Sequence, residues 1–222
     1  MQDYWRKIKT IPSLEDKKHL FLLDELKKAL QGTEVAKELE DPDSNTSMIF
    51  EFNVFDDDVD TDAIELSFWP LCAFGILYCQ GTPREKADVL AEMILFADEF
   101  TGAPSNGKIK KDNKSLDDLF TRMQYFASKY WFAFAEQLFK LPYESQELDM
   151  FIDNVISEKH LLDQLNEDIF PPGEKAFDAD QWAANLCECA PWAIDLKQLR
   201  ERVIDASGAP DQDEYDSQEE VL

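Results

Sequence analysis

The stretch from residue 55 to residue 93 places the tightest limits on what this chain can fold into. It opens with Asp56-Asp57-Asp58-Val59-Asp60-Thr61-Asp62 and passes through a β-capable Ala63-Ile64-Glu65-Leu66. It then enters an apolar run, Phe68-Trp69-Pro70-Leu71-Cys72-Ala73-Phe74-Gly75-Ile76-Leu77-Tyr78-Cys79. Gln80-Gly81 closes that run, since glycine tolerates the left-handed conformation at a helix end. Thr82-Pro83-Arg84-Glu85 opens the next helix. Threonine accepts a backbone N–H, proline suits the first helical position, and the glutamate three residues on completes a capping box. Ala87, Leu90, Ile94 and Ala97 then recur at helical spacing. The order is acidic loop, short extended piece, apolar helix, tight turn, amphipathic helix.

Charge narrows the function classes. The 222 residues carry a formal net charge of −25. Such a surface repels nucleic acid and anionic membrane over most of its area. The sign is uneven: residues 1–30 hold seven Lys and Arg against five Asp and Glu, and so stand at +2. Arg6, Lys7 and Lys9, beside Tyr4 and Trp5, form a basic arm. The arm either packs its aromatics on the body or makes a weak peripheral contact with a membrane. The longest apolar run is too short to span a bilayer, and the N-terminus has no apolar signal core. Cys72, Cys79, Cys187 and Cys189 form no C-x-x-C pair and read as reduced thiols. Cytoplasmic residence is the expectation, with the nucleus as the other compartment open to such a chain.

Helical patterning dominates the rest. Ser13 reads as an N-cap, and Leu20, Leu23, Leu26 and Leu30 follow at spacings of three and four. Residues 40–48 form a turn-rich connector, and Gly102, Pro104 and Gly107 forbid a continuous helix after Phe100. Ser115 reads as the cap of the longest pattern, residues 115–138, which is apolar over most of its circumference. A further helical run covers residues 147–169 with a break at Ser157-Glu158-Lys159-His160. Pro171-Pro172-Gly173 stops it, and Lys175-Ala176-Phe177-Asp178-Ala179 reads as a short extended piece. Trp182, Leu186 and Ala190 mark one short helix, and Leu196, Leu199 and Val203 another beyond Pro191.

The acidic loop invites a metal reading. A twelve-residue calcium loop places oxygen ligands at alternate positions and a bidentate glutamate at the twelfth. Counting from Asp56 puts Asp56, Asp58, Asp60 and Asp62 at ligand positions, but Thr61 where glycine is wanted and Ser67 where glutamate is wanted. Calcium is therefore a weak candidate, and no cofactor is expected. Phe55-Asp56…Ile64-Glu65-Leu66-Ser67-Phe68-Trp69, followed by Gly81-Thr82-Pro83-Arg84-Glu85-Lys86-Ala87, resembles the second EF-hand of the neuronal calcium sensor and calcineurin B-like family. Asn106-Gly107-Lys108-Ile109-Lys110-Lys111-Asp112 is similar to the second half of a third loop. Phe177-Asp178-Ala179-Asp180-Gln181-Trp182 is similar to the end of a fourth.

The resemblance implies an all-α fold of two pairs of EF-hand-like helix–loop–helix units with short β contacts between loops. One pair would occupy residues 1–80 with the basic arm, and the other residues 81–205. It implies that Ile64 and Ile109 lie near one another across a short β contact. The departures are large. With Ile109 and Phe177 at position eight, the third and fourth loops end in Asn113 and Gln181, and no loop is recognisable after Leu30.

The function expected is that of a non-enzymatic regulatory or adaptor protein. Only His19 and His160 exist, and no phosphate loop, nucleophile elbow or dinucleotide fingerprint occurs. In the family, paired hands hold an amphipathic helix of a partner protein in an apolar groove. Here Leu119, Met123, Phe126 and Tyr130, at three- and four-residue steps, would line it, with acidic rims selecting a basic helix. The rival is an acidic all-helical inhibitor or nucleic-acid mimic unrelated to EF-hands, acting through surface charge.

Residues 206–222 read as a disordered acidic tail, with Asp211, Asp213, Glu214, Asp216, Glu219 and Glu220 and few apolar side chains. Truncation after Ala209 is expected to leave the thermal midpoint within about 2 °C of the full chain. A scanning calorimetry trace showing a larger drop would contradict this reading.

Overall fold

The computed structural model describes residues 2–16, 20–39, 65–100, 106–129, 131 and 146–207. Helix accounts for 75% of the interpretable residues, in eleven α-helices. The order begins α1 (Gln2–Ile8), α2 (Pro12–Glu15), β1 (Leu20–Leu22), α3 (Leu23–Ala29) and α4 (Glu34–Leu39). It continues with β2 (Glu65–Ser67), α5 (Phe68–Tyr78), α6 (Pro83–Phe100), β3 (Lys108–Lys110) and α7 (Lys114–Ala127). Then come α8 (Gln146–Glu158), α9 (His160–Ile169), β4 (Ala176–Asp178) and α10 (Ala179–Cys189). A 3₁₀ turn, Pro191–Ile194, leads into α11 (Leu196–Ser207).

The strands form two antiparallel ribbons. β1 pairs with β2 in the register Leu20↔Ser67, Phe21↔Leu66, Leu22↔Glu65. β3 pairs with β4 as Lys108↔Asp178, Ile109↔Phe177, Lys110↔Ala176. The central residues Phe21, Leu66, Ile109 and Phe177 are all buried, because alternate side chains of a strand point to opposite faces. Ile109 meets Phe177, and Ile64, the neighbour expected for it, lies outside the described residues. Each ribbon joins two strands that are each followed directly or within a few residues by a helix. The partner of Ile109 is accordingly the strand of its own neighbouring unit.

Several local expectations meet the structure differently. Leu20 and Leu23 do not share a helical face, because Leu20–Leu22 is drawn into β1 and the helix starts at Leu23. Ser13 does not cap α2, whose N-cap is Ile11 without a side-chain bond. Nor does Ser115 cap α7. Asn113 does so, its side chain accepting the Leu116 N–H at 2.9 Å. Other boundaries fall as the residues indicate. Thr82 and Glu85 exchange the two bonds of a capping box, at 2.8 and 3.2 Å. Lys159, at φ +59°, divides α8 from α9. Asn106 and Gly107, at φ +48° and +72°, turn the chain into β3, a geometry that asparagine and glycine tolerate best.

The core is built around α5. Of its eleven residues only Trp69 and Tyr78 retain appreciable exposure. Each fully buried large side chain contributes roughly 1.5–3 kcal/mol, so this short helix adheres strongly to its surroundings. α5 lies along α7 and also touches α6, while α6 packs on α10 and α8 on α11. At its N-terminal end Phe68 joins an aromatic cluster. Its ring lies 6.2 Å from Trp5, 6.0 Å from Phe96 and 5.3 Å from Phe100.

The cluster carries α1. Trp5 is 2% exposed, and its indole N–H donates to Glu92 Oε2 at 2.9 Å. The Tyr4 hydroxyl donates to the Leu71 carbonyl at 3.2 Å, pinning α1 to α5. Trp5→Ala should therefore destabilise the fold by about 3–5 kcal/mol, the range for large-to-small changes at buried aromatics. Urea unfolding followed by far-UV circular dichroism would show this, and an unchanged midpoint would mean that α1 is not part of the core.

Candidate functional site

The ribbons set up the loops that join helix to strand, and the residues four positions past each ribbon centre decide how those loops close. These residues are Glu25 after Phe21, Pro70 after Leu66, Asn113 after Ile109 and Gln181 after Phe177. Two of the four loops are sewn shut by a carboxylate.

In the first, Glu25 lies in the opening turn of α3. Its carboxylate accepts the Ser13 N–H at 3.2 Å, the Ser13 hydroxyl at 2.8 and 3.0 Å, and the Leu22 N–H at 2.9 Å. α2, the helix before β1, is thereby tied to the helix after it. An ionised carboxylate offers about four lone-pair sites, and most of them are engaged in this way.

In the third loop the carboxylate comes from the other end. Asp98, near the end of α6, is 5% exposed. It accepts the Ser115 hydroxyl at 2.6 Å and the Asn113 amide at 2.9 and 3.2 Å. The far oxygen of the same Asn113 side chain caps α7. One buried acid thus joins the end of α6 to the start of α7 across β3. A buried carboxylate without partners would be costly, and these donors offset that cost.

The fourth loop uses other means. Phe170 stacks on Phe177 with ring centroids 5.2 Å apart and planes at 14°, closing the loop before β4. Asp178 accepts the Gln181 N–H at 2.9 Å and caps α10. Pro70 has no donor or acceptor in its side chain, and the segment before β2 is not described.

The acidic candidates Asp56, Asp58, Asp60 and Asp62 lie outside the described residues. Among the described residues, no group of three or more His, Cys, Asp or Glu could hold a metal ion. Of the partner-binding candidates, Leu119, Met123 and Phe126 are fully buried, each at 0% exposure, and Tyr130 is not described. The groove expected along this face is filled. α7 touches α5, α6, α8, α9 and α11, and the Tyr78 hydroxyl donates to the Phe126 carbonyl at 3.1 Å. Burial pushes the Tyr78 phenol well up from its ordinary range. The basic arm is likewise engaged, with Lys9 paired to Glu92 at 3.1 Å and the Lys7 ammonium on the Gln31 carbonyl.

Cys72, Cys79, Cys187 and Cys189 are all free thiols. Burial raises the pKa of Cys72, Cys79 and Cys187, which keeps these thiols protonated and poorly nucleophilic.

Glu25 is the site residue that sequence reasoning missed. The signal for Glu25 was present: an apolar Leu20-Phe21-Leu22 with an acid four residues beyond its centre. It was obscured by the helical spacing of the surrounding leucines. The partners of Asp98 lie 15 and 17 residues away, beyond what any local spacing reports. Comparison with protein-family models, curated proteins and solved structures found no match to this chain. No helix among the described residues is long and apolar enough to cross a membrane.

Asp98→Ala would strand two donors in the interior and should cost about 1–3 kcal/mol in chemical denaturation. Asp98→Asn keeps a carbonyl acceptor and should cost less. Equal losses in both variants would show that charge, not the acceptor geometry, is what matters.

Proposed function

We propose that this chain is a non-enzymatic regulatory or adaptor protein, made of two pairs of EF-hand-like helix–strand–helix units that hold their shape without calcium. The observation that carries the reading is the recurrence around the ribbons. Phe21 pairs with Leu66 and Ile109 with Phe177, and the residue four beyond Phe21 and Ile109 ties its own loop together. With the ribbon centre at position eight, that residue is position twelve, where a calcium loop carries its closing glutamate. Glu25 holds that place in the first loop, yet its oxygens accept protein N–H and O–H groups. In the third loop the amide of Asn113 meets Asp98 directly. A hydrogen bond between loop ends stands where a shared cation would stand.

The partner in this reading is a basic amphipathic helix, selected by a surface of net charge −25. The face of Leu119, Met123 and Phe126 would receive it only if a helix packed on α7 moved away. Burial of α7 also favours the second reading, an acidic inhibitor or mimic that works by charge with no groove at all.

One titration separates these outcomes. The probe is a 20-residue Lys/Leu amphipathic helical peptide, added to the full chain with calcium at about 1 mM, or with chelator, a range that fills even weak calcium sites. The regulatory reading expects binding of equal affinity in both, and none with a proline-broken peptide of the same charge. Calcium-dependent binding would overturn the metal-free account. Equal binding of the broken peptide would favour the charge-only reading, and no binding of either would remove the basic-helix partner.

A further inference from the structure

The β3–β4 ribbon runs against the charge of the whole. Ile109 points inward, so Lys108 and Lys110 share the outer face of β3, about 7 Å apart along the strand. Lys111 follows, its N–H bonded to the Lys175 carbonyl at 3.0 Å, and Lys114 opens α7. All five lysines are exposed. Acids are near: Asp178 lies opposite Lys108 in the register, Asp118 is one turn from Lys114, and Asp112 and Glu174 adjoin Lys111 and Lys175. Yet none of the five ammonium groups forms an ion pair among the described residues. Elsewhere Lys9, Arg84, Lys129 and Lys159 each meet a carboxylate.

We propose that this lysine face is the docking surface for the chain's own carboxylate-rich stretch, residues 211–220. That stretch holds six Asp and Glu in ten residues, and no Lys or Arg occurs from residue 208 to residue 222. It follows α11, which ends at Ser207. Fifteen residues extend at most about 50 Å, and a folded chain of this size has a radius of gyration of about 17 Å, so the stretch spans a length comparable to the width of the molecule. Tethering gives it an effective concentration in the millimolar range, above that of untethered acidic segments. External polyanions such as nucleic acid or anionic membrane are also repelled by the rest of the surface. Contacts of this kind between exposed charges contribute little to stability. The proposal does not depend on the regulatory reading.

Zero-length carbodiimide cross-linking of the full chain tests it, using an equal mixture of unlabelled and ¹⁵N-labelled protein. The expected products join Lys108, Lys110, Lys111, Lys114 or Lys175 to residues 211–220 within one isotopic species. Their yield should fall about fivefold or more as NaCl is raised from about 20 mM to about 500 mM, because the screening length drops from ~20 Å to ~4 Å. Isotopically mixed products would overturn the proposal in favour of contact between two copies. It would also be overturned by products spread equally over Lys27 and Lys197, by salt-insensitive yields, or by no product from residues 211–220.

Discussion

A helix without a polar face imposes its needs on everything around it. α5 has apolar or small side chains at almost every position, and nine of its eleven residues are buried. An ordinary amphipathic helix asks for one packing partner, but this one needs walls on several sides. α7 and α6 supply two of them, and α1 supplies another through Trp5 and Tyr4. α7 keeps a polar side with Lys114, Asp117, Asp118 and Arg122, while its buried side must serve α5 as well as α8, α9 and α11. This is why Leu119, Met123 and Phe126 are covered.

The ribbons solve a second problem, that of aligning helices joined by loops. A three-residue antiparallel pair has few hydrogen bonds and would be marginal in isolation. It persists where its inward side chains join the core and its flanking loops are closed. Phe21 and Leu66 meet the first condition in one ribbon, Ile109 and Phe177 in the other. Glu25 and Asp98 meet the second by linking the elements on either side of a loop. Each carboxylate holds its neighbours by accepting several protein donors. The two ribbons differ outside. One exposes Leu20 and Leu22, and the other Lys108 and Lys110. The same backbone device thus presents two surfaces of different chemistry.

Much of the helical frame was legible because its signals are local. Thr82, Pro83 and Glu85 lie within four residues of one another and start α6 whatever else the chain does. Pro171-Pro172-Gly173 ends α9, and Pro191 separates α10 from α11. β1 was harder to see. Leu20, Leu23, Leu26 and Leu30 satisfy a helical spacing, and a three-residue strand is too short to show alternation. Its identity depends on Glu65–Ser67, more than forty residues away. Asn113 outcompeted Ser115 as a cap because Ser115 is committed to Asp98, and that is a tertiary fact. The spacing of Leu119, Met123 and Phe126 identifies an apolar face correctly but says nothing of what covers it. Periodicity reports that a face is buried, not whether by the chain or by a partner.

The account rests on loops that keep their ribbons without metal. Cross-strand nuclear Overhauser contacts test this most directly, measured on the full chain with chelator present. The account predicts contacts across Phe21↔Leu66 and Ile109↔Phe177 in chelator, unchanged when calcium replaces it. Contacts that are missing in chelator and emerge only with calcium would contradict it.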